Sequence, residues 1–201
     1  MSSVSVAHSG ERDEVVAVAE PRPLGWYGMI FFIASEAVFF ANLIAGYLYL
    51  RVRAGQWPPP PYTHIEFSRT IPIINTIILL SSSFPMHWAA RSISRGNHKN
   101  LTRGLLLTAI LGAIFLSGQA YEYTHAAFNP SSGIFGSTFF VLTGFHGAHV
   151  TAGVLFILVC FARSARGDFT KDRHFAVNAI EMYWHFVDVV WVILFTVLYL
   201  L

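Results

Sequence analysis

Long apolar stretches alternate with short polar connections along the whole chain. A helix that crosses a bilayer core about 30 Å thick needs roughly 20 apolar residues. The stretches that meet this length are Trp26–Leu50, Pro72–Ala90, Leu101–Tyr123, Phe135–Phe161 and Phe175–Leu201. The pattern therefore predicts an all-α, polytopic membrane protein, built as a bundle of five transmembrane helices.

Small residues recur every four positions on three of these helices, a spacing that favours close contact between membrane helices. The rows are Ala37, Ala41 and Ala45 on the first helix, Gly104, Thr108 and Gly112 on the third, and Gly144, Ala148 and Ala152 on the fourth. We expect each row to lie against a neighbouring helix.

The polar ends and connections predict the domain boundaries. Residues 1–24 are polar and mildly acidic and contain no apolar core of a signal peptide, so we expect a short tail ahead of a transmembrane domain at residues 25–201. The first connection contains four consecutive prolines, Pro58 to Pro61, which favour an extended polyproline conformation.

Basic residues predict the orientation, because cytoplasmic loops are enriched in Lys and Arg. Of the 13 Lys and Arg residues, only Arg51, Arg53 and Arg69 fall on the side of the first and third connections. We therefore expect a cytoplasmic N-terminus and an external C-terminus.

Composition supports this class. The chain is 54% hydrophobic and only 12% charged, whereas soluble domains carry about 25% charged residues. The single cysteine, Cys160, excludes an intramolecular disulfide and a cysteine-based metal site. We expect this chain to contact other membrane proteins and lipids, and no nucleic acid.

Ionisable residues inside membrane helices are costly and mark candidate functional sites. The fifth helix carries Asn178, Glu181, His185 and Asp188 at spacings that place them on one stripe, and the fourth carries His146 and His149 one turn apart. At 1.5 Å of rise per residue, all of these histidines and Asp188 lie about 18–25 Å from the cytoplasmic ends. We therefore predict a buried polar network in which His146 or His149 bonds to Asp188, Glu181 or His185.

Three further polar residues complete the candidate set. Glu36 stands alone on the first helix, about 15 Å from its cytoplasmic start, and is expected to belong to the same buried network. Gln119 and Glu122 lie near the external end of the third helix among Tyr and His residues, which is typical of membrane interfaces. For these two we expect an anchoring role.

Three interpretations of the His, Glu and Asp residues remain open. Two histidines and two carboxylates could bind iron or zinc, and two histidines could bind a haem. The third interpretation is a structural hydrogen-bonded network. The chain has no cysteine cluster and no dense run of histidines, so the residues favour the structural network and predict a chain without metal or haem.

Five strings of residues, in order along the chain, resemble subunit III of the haem–copper terminal oxidases. They are Trp26-Tyr27-Gly28 with Ser35-Glu36 and Phe39-Phe40; Pro72 with Asn75-Thr76 and Ser81-Ser82-Ser83; Gln119 with Glu122-Tyr123; Phe135-Gly136-Ser137 with Thr143-Gly144-Phe145-His146-Gly147 and His149-Val150; and Glu181 with Tyr183-Trp184-His185-Phe186-Val187-Asp188-Val189-Val190-Trp191. Together they cover residues 26 to 191.

The resemblance implies an accessory subunit of a proton-pumping oxygen reductase. In that family, haem and copper are carried by subunits I and II, and subunit III has no redox centre. It supports proton uptake into subunit I, protects that subunit during turnover and holds ordered phospholipid. Glu36 matches the family's buried carboxyl, and His146, His149, Glu181, His185 and Asp188 match its polar cluster.

The sequence departs from the seven-helix form of the family because it lacks the two N-terminal helices. It resembles the shorter bacterial form, which implies a location in the inner membrane of a bacterial cell. That difference puts in doubt the lipid cleft which those helices line. Two other functions remain as alternatives. One is the equivalent accessory subunit of a quinol oxidase or nitric oxide reductase, and the other is a stand-alone membrane metalloenzyme.

Overall fold

The computed structural model describes residues 24–60 and 69–201. Within them the chain forms five long helices and no strands, which confirms the predicted all-α fold. The helices are α1 (Leu24–Ala54), α2 (Thr70–Ser94), α3 (His98–His125), α4 (Gly133–Ala165) and α5 (Phe175–Phe195), and α5 ends in a π-helical turn at Thr196–Leu200. All five are long and apolar enough to cross a membrane. The predicted tail lies outside the described residues, apart from Leu24, and so does the end of the proline run.

Most helices extend several residues beyond the apolar stretches. The 31 residues of α1 span about 46 Å, more than the hydrocarbon core alone requires. A helix also satisfies the backbone hydrogen bonds in the headgroup region, so the polar residues that flank each apolar stretch continue the helix. Apolar stretches therefore predict where a helix crosses the core and underestimate its full length.

Helices α2 to α5 form a closed ring in which each helix packs against the next and α5 returns to α2. The α2–α3 hairpin is the most extensive pair. Its turn is made by Gly96, whose φ of 78° suits glycine, and by Asn97, whose side chain accepts a hydrogen bond from the Asn100 backbone at 3.1 Å.

Two tryptophans of α5 fill the centre of this ring. Trp184 and Trp191 are both fully buried, and each indole N–H reaches a hydroxyl of α2. Trp184 donates to Ser82 at 2.8 Å and Trp191 donates to Thr76 at 2.9 Å. These bonds fix the rotation of α5 against α2, because a buried indole N–H needs a partner.

The row of small residues on α3 lies where it was predicted. Gly104, Thr108 and Gly112 are all buried. A Cβ on Gly104 would lie 2.7 Å from the Pro85 carbonyl oxygen, and one on Gly112 would lie 2.7 Å from the Trp184 ring. Glycine at these two positions allows α3 to approach α2 and α5 closely.

Helix α1 lies outside the ring, against α5 and α4. Phe40 and Tyr47 are its buried residues, whereas the predicted row of Ala37, Ala41 and Ala45 is exposed. The expectation that this row lies against a neighbouring helix is therefore not met within this chain. The buried face of α1 carries the large side chains, and the small residues face outward.

One polar contact holds the end of α1 to the end of the chain. The Arg51 guanidinium donates to the Val197 carbonyl at 3.5 Å and to the Leu201 carbonyl. The last carbonyls of a helix have no partner within it and attract a cation. Arg51 supplies that cation to the π-helical turn.

Candidate functional site: three separate polar groups in the bundle

Glu36 and His149 form a pair that joins α1 to α4. Glu36 Oε2 lies 2.9 Å from His149 Nε2, and His149 Nδ1 lies 2.7 Å from the Phe145 carbonyl oxygen. A carbonyl only accepts, so Nδ1 carries a hydrogen and donates it. One further proton is then shared between His149 Nε2 and Glu36, which makes the pair a place where a proton is held.

Aromatic rings enclose this pair on the inner side. The His149 ring lies 4.9 Å from Phe40 edge-on and 6.3 Å from Phe39 in a stacked arrangement. The side chains of Glu36 and His149 keep 24% and 17% of their surface exposed. The pair is therefore shielded from the bundle centre and open on the outer surface of the subunit.

A second polar group joins α2 to α5. His87 Nδ1 lies 2.8 Å from Glu181 Oε1, and His185 Nε2 lies 3.9 Å from the same oxygen. On the other side of His185, Nδ1 lies 3.2 Å from the Ser83 hydroxyl, which in turn donates to Asp188. The group is a continuous row of five polar side chains along the outer α2–α5 face.

His146 belongs to neither group. It is 1% exposed, and neither ring nitrogen has a hydrogen-bond partner among the described residues. Its ring stacks on Trp191 at 4.9 Å and meets Phe115 edge-on at 5.8 Å. In this subunit it acts as a buried aromatic ring in the core.

The predicted network of Glu36, His146, His149, Glu181, His185 and Asp188 is therefore wrong as a single unit. Neither histidine of α4 bonds to Asp188, Glu181 or His185. Residue spacing gives the position of a side chain along its own helix, but it did not give the direction in which each side chain faces its neighbours. His149 faces α1, whereas the polar stripe of α5 faces α2, with the core residues of α5 between them.

Gln119 and Glu122 are brought together near the predicted external end of α3. Gln119 Nε2 donates to Glu122 Oε2 at 2.9 Å, and the Tyr199 hydroxyl donates to Glu122 Oε1 at 2.8 Å. Gln119 is 4% exposed. The carboxylate thereby ties α3 to the turn that ends α5.

His87 is the residue of this site that sequence reasoning missed. Its ring, Glu181 and His185 each offer one ligand atom, and these atoms lie within 4.8 Å of one another. A signal was present, because His87 lies about 10 Å from the C-terminal end of α2 and Glu181 lies about 9 Å from the N-terminal end of α5, and these two ends are on the same side of the bundle. It was missed because His87 stands alone on α2, outside the polar stripe of α5 and the histidine pair of α4.

An apolar cavity of about 460 Å³ opens between α1, α4 and α5. Its lining is mostly aromatic and aliphatic, with the side chain of Arg163 at its polar edge. Arg163 also lies 5.0 Å above the Phe169 ring and 3.3 Å from Asp168. The cavity thus combines an apolar floor with a cation at the end of α4.

Comparison with known proteins gives a consistent result. Residues 16–201 match the family model described as cytochrome c oxidase subunit III. The chain is 43% identical to cytochrome c oxidase subunit 3 of Equus caballus over 181 residues, covering 86% of this chain and 68% of the horse protein. It is also 43% identical to the Thermostichus vulcanus protein of that name over 175 residues, covering 87% and 86%. For the Synechocystis protein the identity is 43% over 179 residues, covering 89% and 76%.

Proposed function

Because this chain belongs to the cytochrome c oxidase subunit III family, we propose that it is the accessory, non-redox subunit of a proton-pumping terminal oxidase. It is a multi-pass membrane protein and part of an oxygen reductase complex. In the proposal it supports proton uptake into subunit I and protects that subunit during turnover, while haem and copper stay on subunits I and II.

The Glu36–His149 pair is the observation that carries this proposal. In the string Ser35-Glu36, Glu36 resembles the family's buried carboxyl, and its 2.9 Å contact with His149 gives it a partner within the chain. The pair shares one proton and remains partly exposed on the outer surface. A group of this kind changes the electrostatics and hydration of a neighbouring subunit without carrying electrons.

The exposed small residues of α1 support a partner on that side. Ala37, Ala41 and Ala45 present a shallow, exposed face on α1, whereas Phe40 and Tyr47 are buried. Small residues at four-residue spacing allow close approach of another membrane helix. We assign this face to subunit I, the main contact of this subunit, with subunit II as the second protein partner.

The apolar cavity supports a bound phospholipid. Its volume of about 460 Å³ accepts part of an acyl chain, and Arg163 at its edge offers a guanidinium to a lipid phosphate. The lipid would lie between α1 and the ring, and would thereby stabilise the position of α1.

The orientation of the chain gives a direct prediction, with the first connection external and the loops around Arg95 and Lys171 cytoplasmic. In intact cells, cysteine at Gln56 should react with an impermeant maleimide, whereas cysteine at Lys171 should react only after the membrane is opened. Both positions are exposed, and the native Cys160 is buried and gives a low background. Labelling of the Lys171→Cys variant alone in intact cells would reverse the assignment.

Removal of the subunit is the main test of the proposed function. The haem spectrum of the remaining complex should be unchanged, proton uptake should slow at high pH, and fewer turnovers should precede inactivation. The measurements are the absorption spectrum, the pH profile of turnover and the total turnover number. Loss of the haem spectrum, or no change in both turnover and lifetime, would contradict the proposal.

A point variant distinguishes the role of Glu36 from that of the whole subunit. Glu36→Leu in the assembled complex should reproduce part of the loss in turnover lifetime, because it removes the shared proton. Thr151→Val on α4 is a matched control, since the Thr151 hydroxyl bonds to the Gly147 carbonyl of its own helix at 2.8 Å. Equal behaviour of the two variants would show that the pair has no part in the function.

A further inference from the structure

We propose that His87, Glu181 and His185 form a binding site for a zinc ion on the outer α2–α5 face of the subunit. The prediction of a metal-free chain takes no account of His87, which the sequence pattern does not single out. With His87 added, two imidazoles and one carboxylate converge on one point, a set that binds zinc and leaves a fourth position for water. The site is separate from the Glu36–His149 pair.

The distances between the three side chains suit zinc after a small adjustment. Zinc bonds to imidazole and carboxylate are about 2.0–2.1 Å long, so tetrahedral ligand atoms lie about 3.4 Å apart. Glu181 Oε1 now lies 2.8 Å from His87 Nδ1 and 3.9 Å from His185 Nε2. Both contacts reach the tetrahedral spacing with shifts of about half an ångström, because the shorter one lengthens and the longer one shortens.

Ser83 and Asp188 hold His185 through Nδ1, which leaves its Nε2 available to bind a metal. Ser83 donates to Asp188, so the Ser83 hydroxyl oxygen is available to accept from His185 Nδ1 at 3.2 Å. With the ring hydrogen on Nδ1, the lone pair of Nε2 points toward Glu181. A histidine ligand held through its other nitrogen by a hydroxyl and a carboxylate is the usual support of zinc sites.

The ligand types and the nearby charges select zinc over the abundant divalent cations. Calcium and magnesium prefer oxygen ligands, whereas imidazole suits zinc. Arg91 lies one turn from His87 toward the end of α2 and disfavours cations that bind mainly through charge. Zinc binds directly to the two imidazole nitrogens, so the positive charge of Arg91 weakens its binding less than that of calcium or magnesium. Zinc has no redox chemistry, so the site is compatible with a subunit that carries no electrons.

The site is reachable from the surface of the subunit. The His87 side chain is 52% exposed, and it borders a polar cleft of about 420 Å³ that runs toward Asn97 and Asn100 at the α2–α3 turn. His87 and Glu181 lie about 10 Å from the helix ends on that side. A hydrated ion that enters the cleft at the turn has a short path to the ligands, which passes the cationic side chains of Arg91 and Arg95.

Zinc content of the purified, assembled oxidase tests the site. The complex is stripped with a chelator, exposed to zinc sulfate, passed through a desalting column and analysed by mass spectrometry. The wild-type complex should retain one more zinc ion per complex than the His87→Ala variant. X-ray absorption at the zinc edge should show two imidazole ligands for this additional ion.

Two matched variants complete the experiment. His98→Ala removes an exposed histidine near the same end of the bundle and should leave the zinc content at the wild-type value. His87→Cys replaces one zinc ligand with another and should restore the ion lost in His87→Ala. Equal zinc contents in the wild-type and His87→Ala complexes, or no imidazole signature, would overturn the proposal. The three side chains would then form only a hydrogen-bonded contact between α2 and α5.

Discussion

Replacing Trp184 with alanine is expected to destabilise the bundle by about 3 kcal/mol. The side chain is fully buried, closes the centre of the ring and donates to Ser82 at 2.8 Å. The expected value lies at the lower end for such changes, because separated membrane helices keep their apolar side chains in lipid. The cost therefore comes mainly from lost packing contacts and from the lost indole bond to Ser82, whose hydroxyl keeps its own bond to the Leu79 carbonyl. The measurement is the temperature at which the subunit dissociates from the purified complex.

Two further variants separate packing from hydrogen bonding at this position. Trp184→Phe keeps most of the aromatic side chain and removes the N–H donor, so its destabilising effect should be smaller, about 1 kcal/mol. Trp88→Ala removes a tryptophan of α2 that is 44% exposed and should change the dissociation temperature little. If Trp88→Ala proved as damaging as Trp184→Ala, the centre of the ring would not be the main source of stability.

Gly104→Val is the second change with a large expected effect. A Cβ at this position would lie 2.7 Å from both the Pro85 carbonyl oxygen and the Ala89 Cβ, and the carbonyl belongs to the backbone of α2. Overfilling a tight contact costs about 1–3 kcal/mol, and this one requires two helices to separate. We expect the variant to reduce the amount of subunit that assembles with the oxidase, measured as the subunit ratio in the purified complex.

Gly147→Val is the matched control for this change. It adds the same side chain to a helix glycine where the structure places nothing within 4 Å of the new Cβ. Normal assembly is expected. If Gly104→Val also assembled at the wild-type ratio, the α2–α3 hairpin would have to tolerate a wider separation than the structure indicates.

The fold was predictable because the length of an apolar stretch and the spacing of its small residues are both properties of a single segment. A helix satisfies the backbone of a stretch such as Phe135–Phe161 entirely within that segment, so its apolar length predicts a helix in the bilayer. The Gly104–Gly112 row predicted a close contact correctly. The equivalent row on α1 is exposed within this chain, because four-residue spacing marks a face that allows close approach and does not show which helix lies against it.

The polar site was only partly predictable. Residue spacing gives the depth of a side chain and its position on its own helix, but it does not give the rotation of that helix against its neighbours. In this bundle, Trp184 and Trp191 fix that rotation through bonds to α2. As a result, Glu181 faces His87 and His149 faces Glu36, whereas equal depth had suggested that His149 meets α5.

The contact between Glu36 and His149 imposes an order on biosynthesis. The two residues are 113 positions apart, and chains are made at about 5–20 residues per second, so Glu36 waits roughly 10 s for its partner. During that interval α1 has entered the bilayer with a carboxyl that has no imidazole beside it, a costly state in hydrocarbon. The Glu36–His149 contact can therefore form only as a late step, after α4 has been made and has entered the bilayer.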